Sequence, residues 1–239
     1  MTLQAKKIVV LGGSSGIGLA VAQAAAREGA NLTIVSSNPG KLETARKTLP
    51  AGTAGEVADL AVEDAIRALF LKLGPFDHLV YTAGENLLLS PLATMDMGWA
   101  RGFFGLRYWG ALMAVRYAAP HIKQGGSITL TGGAAGQRPQ AGWSIAASIC
   151  SAMEGLTRAL AMELAPLRVN VVSPGVVKSP LWDAMPQAER EAMYQHMAAA
   201  LPLKHVGTPE EVAESYLYLM KQSYGTGQRI TVDGGGTLA

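Results

Sequence analysis

A single cysteine, Cys150, stands in a chain of 239 residues, so no intrachain disulfide framework is possible. Histidine is nearly as scarce. His78, His121, His196 and His205 fall into no metal-ligand spacing, which argues against a structural zinc or any other metal site. Charge is thin as well: 16% of residues are charged, the net charge is +2, and no Lys/Arg cluster stands out. A nucleic-acid or acidic-membrane footprint therefore has no support, and a small molecule is the expected partner. Long hydrophobic runs are missing too. The first apolar run, Lys7 to Leu11, is cut by Gly12-Gly13, too short for a signal-peptide core or a membrane span, so a cytoplasmic protein is expected. No internal repeat, low-complexity tract or Pro/Ser-rich linker divides the chain.

What is present is apolar and periodic. Hydrophobic residues make up 49% of the chain, and its length suits one α/β domain better than two undersized ones, so residues 1–239 are read as a single domain. Lys7–Leu11 reads as a strand covered on both faces. A glycine-rich turn and an Ala-rich helix ending near Glu28-Gly29 follow it. Further strands are expected at Asn31–Ser36, Gly55–Ala58, Asp77–Thr82, Ser127–Thr131, Val169–Ser173 and Arg229–Val232. Helices are expected at Lys41–Thr48 and Val62–Leu73, with longer ones at 98–122, 144–164 and 209–221. Such β-α alternation predicts a doubly wound parallel sheet with helices on both faces, a Rossmann-type architecture. Residues 179–203, rich in Met and Ala, interrupt the rhythm beyond a strand's carboxyl end and are a candidate substrate lid.

The turn Gly12-Gly13-Ser14-Ser15-Gly16-Ile17-Gly18 lets backbone approach a pyrophosphate and presents the N–H groups and positive end of the next helix to it. Placed straight after the first strand, it resembles the glycine motif of the classical short-chain dehydrogenase/reductase family. The resemblance runs over nearly the whole chain. Asp59-Leu60 is similar to the family's adenine-contacting pair, and Thr82-Ala83-Gly84 to the end of its Asn-x-Ala-Gly motif, with Tyr81 in place of the Asn. Pro174-Gly175-Val176-Val177-Lys178-Ser179-Pro180 looks like the Pro-Gly segment beside the nicotinamide, and Val232-Asp233-Gly234-Gly235 like the C-terminal signature. The resemblance implies a sheet of about seven strands, a bound nicotinamide cofactor and a homotetramer, or at least a homo-oligomer. It places cofactor contacts at Gly12, Ser14, Ser15, Gly16, Ile17, Gly18, Ser36, Ser37, Asn38, Asp59, Leu60, Ala83, Gly84, Pro174, Gly175, Val177 and Ser179. At the end of the second strand a carboxylate would bind the ribose 2′-OH of NAD and repel the 2′-phosphate of NADP. The residues there are Ser36, Ser37 and Asn38, with Lys41 one helical turn on, so NADP(H) is favoured over NAD(H).

At the chemical end the family's machinery is not found. Carbonyl reduction by a nicotinamide needs a proton donor, a group that tunes it and a group that orients the carbonyl, for which the family uses Tyr, Lys and Ser. Anchored on Ser127–Thr131 and Glu154–Ala161 without gaps, the resemblance puts Gly133 at the Ser position, Ala146 at the Tyr position and Cys150 at the Lys position. The supporting Asn becomes Arg107. Substitute groups come with competing readings. Arg107 is either a cationic electrophile in the site or a surface arginine; Tyr81 is either a replacement donor or an apolar cover over the adenosine side; Ser144 is either a hydroxyl donor or a helix N-cap. Cys150 is a nucleophile or a small buried helix residue, Trp143 is a candidate pocket wall, and His196 on the lid is a remote candidate. Three functions stay open: an NADP-dependent oxidoreductase with rearranged donors, a cofactor-binding pseudoenzyme that senses or scaffolds, and a non-redox enzyme using the same pocket.

Overall fold

The computed structural model describes residues 2–87 and 89–239. Seven parallel strands form one sheet in the order β3-β2-β1-β4-β5-β6-β7. They are β1 Lys7–Leu11, β2 Asn31–Ser36, β3 Ala54–Val57, β4 Phe76–Tyr81, β5 Ile122–Thr131, β6 Arg168–Pro174 and β7 Arg229–Val232. The helices are α1 Gly16–Arg27, α2 Pro39–Arg46, α3 Glu63–Leu73, α4 Met97–Phe104, α5 Ala111–Ala118, α6 Ser144–Glu163, α7 Gln187–Ala200 and α8 Pro209–Lys221.

The apolar strands alternate between two cores. Ile8 and Val10 of β1 point into the layer made by α1, α2 and α8, while Val9 and Leu11 point into the layer made by α3, α5 and α6. This is the two-residue period of a strand covered on both faces, and it accounts for the absence of polar alternation in β1 and β4. Between β1 and β4 the strand order reverses, so the connections on either side run apart and leave a crevice at the strands' carboxyl ends.

Three local departures from the expected boundaries have physical causes. Helix α2 starts at Pro39 rather than Lys41, because Asn38 caps it by accepting the Lys41 N–H at 2.9 Å and Pro39 takes the first helical position, where its missing N–H costs nothing. Ser144 is not an N-cap: Trp143 takes that position, and Ser144 is the first residue of α6 and exposed. The helix expected over 98–122 is broken by a π-helical segment, Gly105–Gly110, between α4 and α5, and ends in a short turn at Ala119–His121. Inside that segment the Leu106 carbonyl accepts a 2.6 Å hydrogen bond from the Tyr81 hydroxyl. Gly110 admits the phenol, since a Cβ there would lie 2.7 Å from its oxygen and 2.6 Å from the Leu60 carbonyl. Wide turns of this kind re-aim side chains and recur at functional sites, and Arg107 sits in the middle of this one.

Candidate active site

A cavity of about 410 Å³ occupies the crevice and extends beneath the lid segment. Every residue expected to contact a cofactor, from Gly12 to Ser179, lines it. At its nucleotide end, α1 begins at Gly16 behind Ser15, whose side chain makes no capping bond, so the first N–H groups of the helix are left for a ligand. Gly18 has no room for a side chain: a Cβ would lie 2.3 Å from the Gly12 carbonyl, so the turn packs tightly on the helix. Ser36 is buried, and its hydroxyl accepts bonds from Ser14 Oγ at 2.9 Å and from the Asn38 N–H at 3.2 Å. Ser37 and Lys41 are exposed at the same mouth, and Lys41 makes no ion pair among the described residues. The carboxylate of Asp59 is turned to the Ala61 N–H at 2.9 Å. This donor-rich end, with an uncapped helix terminus and a lysine, fits a phosphorylated dinucleotide.

At the other end of the cavity Arg107, Gly133, Ala146 and Cys150 come together. The Arg107 guanidinium lies over Gly84, where a Cβ would come within 2.6 Å of its central carbon, and under the Phe103 ring at 4.7 Å. One terminal nitrogen, Nη2, donates to the main-chain carbonyl of Glu85, and Nε lies 3.4 Å from the Glu85 carboxylate. With 23% of its side chain exposed, Arg107 is directed into the site and not to the surface. Burial lowers its pKa and Glu85 raises it, but a guanidinium stays charged through the physiological range. Cys150 fills the room beside Gly133: a Cβ on Gly133 would lie 2.7 Å from its sulfur. Burial pushes the Cys150 thiol up to about 11, against a smaller opposing pull from Arg107, so it is a neutral filler and not a thiolate nucleophile at ordinary pH.

Two candidate donors are corrected by their positions. Tyr81 is 1% exposed, does not line the cavity, and donates its hydroxyl hydrogen bond to the Leu106 main-chain carbonyl; burial raises its pKa. Ser144 is exposed at the start of α6 and also lies off the cavity. His196 is exposed on α7, and His121 sits in the turn before β5; neither reaches the cavity. Trp143 does line it, as expected. No group of three or more potential metal ligands occurs among the described residues, and no helix among them is long and apolar enough to cross a membrane.

The candidate lid is built as a turn at Pro180–Trp182 followed by α7. Trp182 is buried and donates its indole N–H to the Val177 carbonyl at 3.1 Å, while Leu87 and Met197 pack into the same apolar cluster. Phe103 and Trp182 line the cavity and Glu85 holds Arg107 from outside it, and sequence reasoning singled out none of the three for a role. Glu85 had a legible signal: an acid immediately after Thr82-Ala83-Gly84, in a chain that also gains an arginine at position 107.

A doubly wound sheet with this crevice, glycine turn and uncapped helix is the architecture of a dinucleotide-binding protein. A family model described as enoyl-(acyl carrier protein) reductase matches residues 12–237. The chain is 36% identical over 254 residues to the short-chain dehydrogenase/reductase ATR9 of Stachybotrys chlorohalonatus, covering 99% of both. Among solved structures, a small-chain dehydrogenase in complex with NADPH matches at 34% identity and a TM-score of 0.84, over 99% of this chain and 100% of that one. The MalC reductase/Diels-Alderase of Malbranchea aurantiaca matches at 30% identity and a TM-score of 0.90, over 99% and 98%. The chain belongs to the short-chain dehydrogenase/reductase family and is an oxidoreductase of that family.

Proposed function

We propose that the protein is an NADP(H)-dependent reductase that works without the tyrosine donor of its relatives. The observation that carries this reading is Arg107, which lines the cavity together with Gly133, Ala146 and Cys150. The glycine turn and the start of α1 would hold the pyrophosphate, with Ser37, Asn38 and Lys41 at the 2′-phosphate and Pro174, Gly175 and Val177 beside the nicotinamide. Reduced nicotinamide supplies a hydride when bound. The chain's own contribution is electrostatic: Arg107 places a fixed positive charge and a free N–H pair where negative charge develops on the substrate oxygen. The proton then comes from solvent, because the phenol of Tyr81 is committed elsewhere and the Cys150 thiol is too weak an acid. The cavity's apolar walls also suit a non-redox use of the pocket, a reading to which the double description of the MalC neighbour lends weight.

NADPH should bind more tightly than NADH, because Ser36 stands where a carboxylate would repel the 2′-phosphate. Calorimetric titration of both cofactors checks this. Ser36→Asp should move the ratio of affinities towards NADH by about tenfold or more, equivalent to about 1.4 kcal/mol. Equal affinities in the unmodified protein would remove the argument.

A further inference from the structure

Glu85 does not line the cavity, yet it is bound to Arg107, the least exposed of the three cations that do; the other two, Lys41 and Arg138, are exposed, where water screens their charge. Its carboxylate oxygen Oε2 and the Arg107 Nε are both buried, without hydrogen-bond partners, and face each other at 3.4 Å. The arginine is therefore held in two separable ways. Position is fixed by the Glu85 main-chain carbonyl, the Gly84 backbone and the Phe103 ring. Charge is balanced by the Glu85 side chain from behind. Nη1 makes no hydrogen bond among the described residues and is free for an occupant.

We infer that Glu85 is a specificity-determining positioning residue: by neutralising Arg107 from outside the cavity, it makes the substrate half select bulky apolar molecules carrying a neutral oxygen acceptor over the corresponding carboxylates. The inference deepens the reductase reading and rests on it for what the acceptor is, a reducible carbonyl. Phe103 packs on Arg107, and Leu87, Trp143, Ile149, Trp182 and Met197 supply apolar lining to the same cavity beside the polar Asn86 and Gln140. Moving a carboxylate from water into such surroundings costs free energy that only a net positive site offsets, and an Arg–Glu pair carries no net charge. A carbonyl brings no charge and still takes an N–H bond from Nη1. The pair thus supplies directional hydrogen bonding while pulling on a full anion less than an unpaired arginine would.

The test uses two probes of one ring system, 2-acetylnaphthalene and 2-naphthoate, titrated calorimetrically into the full chain saturated with NADP⁺ and, separately, without cofactor. The ketone should bind the unmodified protein more tightly than the carboxylate. Glu85→Gln keeps the main-chain anchor of Arg107 and removes only the countercharge. It should improve 2-naphthoate affinity by about tenfold or more while changing ketone affinity by less than about threefold. Glu85→Asp, which keeps the charge but withdraws it by one methylene, should give a smaller gain and serves as the measurement if Glu85→Gln is not folded by circular dichroism. Preference of the unmodified protein for 2-naphthoate, no gain in either variant, or no binding of either probe overturns the inference. Absence of NADP⁺ binding with the expected probe selectivity intact would instead sink the reductase reading alone.

Discussion

Arg107→Ala should slow hydride transfer to an apolar ketone by about 10²–10³-fold, the range for losing one donor to a developing oxyanion. The reason is that Arg107 is the cation that lines the cavity beside Gly133, Ala146 and Cys150 and is already oriented: Gly84 and Phe103 clamp its plane, and Glu85 takes one terminal N–H and faces Nε. A preorganised donor of this kind needs no rearrangement as charge builds, which is where its catalytic value lies. Single-turnover oxidation of NADPH at saturating cofactor isolates the step, and circular dichroism checks that the variant is folded. NADPH affinity should change far less than the rate, because the pyrophosphate and 2′-phosphate contacts lie at the other end of the crevice. An unchanged rate in Arg107→Ala would remove the arginine from the mechanism.

Putting the family's lysine back should damage the protein. Cys150→Lys would bury an ammonium in the same pocket as the Arg107 guanidinium, whose field already acts on the Cys150 thiol. An uncompensated buried charge costs about 3–5 kcal/mol, and the carboxylate paired with the arginine, Glu85, does not line the cavity. Urea denaturation should show a loss of this size. Combining Cys150→Lys with Arg107→Asn should recover most of it, since the second change removes the like charge; coupling of neighbouring sites typically reaches 0.5–3 kcal/mol. Cys150→Lys at unmodified stability would mean that the two positions do not share an environment. On this account the arginine at 107 and the missing lysine at 150 are one exchange, a cation moved from α6 to the π-helical segment.

How far the site was legible in the sequence depends on which force places each residue. The nucleotide end was readable because backbone chemistry builds it: a glycine turn after a buried strand is a local signal, and Gly12, Ser14, Ser15, Gly16, Ile17 and Gly18 of that turn line the crevice. The strands were readable from their apolar runs, with edges off by a residue or a few, most at β5, which runs back to Ile122. The 98–122 helix was read as continuous because its composition is helical throughout. Its break at Gly105–Gly110 depends on a tertiary contact, the Tyr81 phenol reaching the Leu106 carbonyl past Gly110, and periodicity carries no trace of that. The same contact misled the reading of Tyr81, whose position near the cofactor motifs pointed to the cavity while its ring turns into the core below α5. Arg107 was readable as a gain opposite three losses; the pairing with Glu85, 22 positions away, emerged only when the strand end and the helix were brought together.

The central claim, hydride transfer without a titrating side-chain donor, is tested most directly by following deuterium from 4-deuterated NADPH into the alcohol formed from 2-acetylnaphthalene, as a function of pH. Label should appear in the product, at a rate below that of a positioned acid by about 10²–10⁴-fold. The rate should be flat from about pH 6 to 9, because Arg107 stays charged and Cys150, with its pKa raised to about 11, stays a neutral thiol across that window. No label in the product at any pH would contradict the oxidoreductase reading, and a rate that follows a single ionisation in this window and loses it on replacing one cavity residue would contradict the absence of a donor.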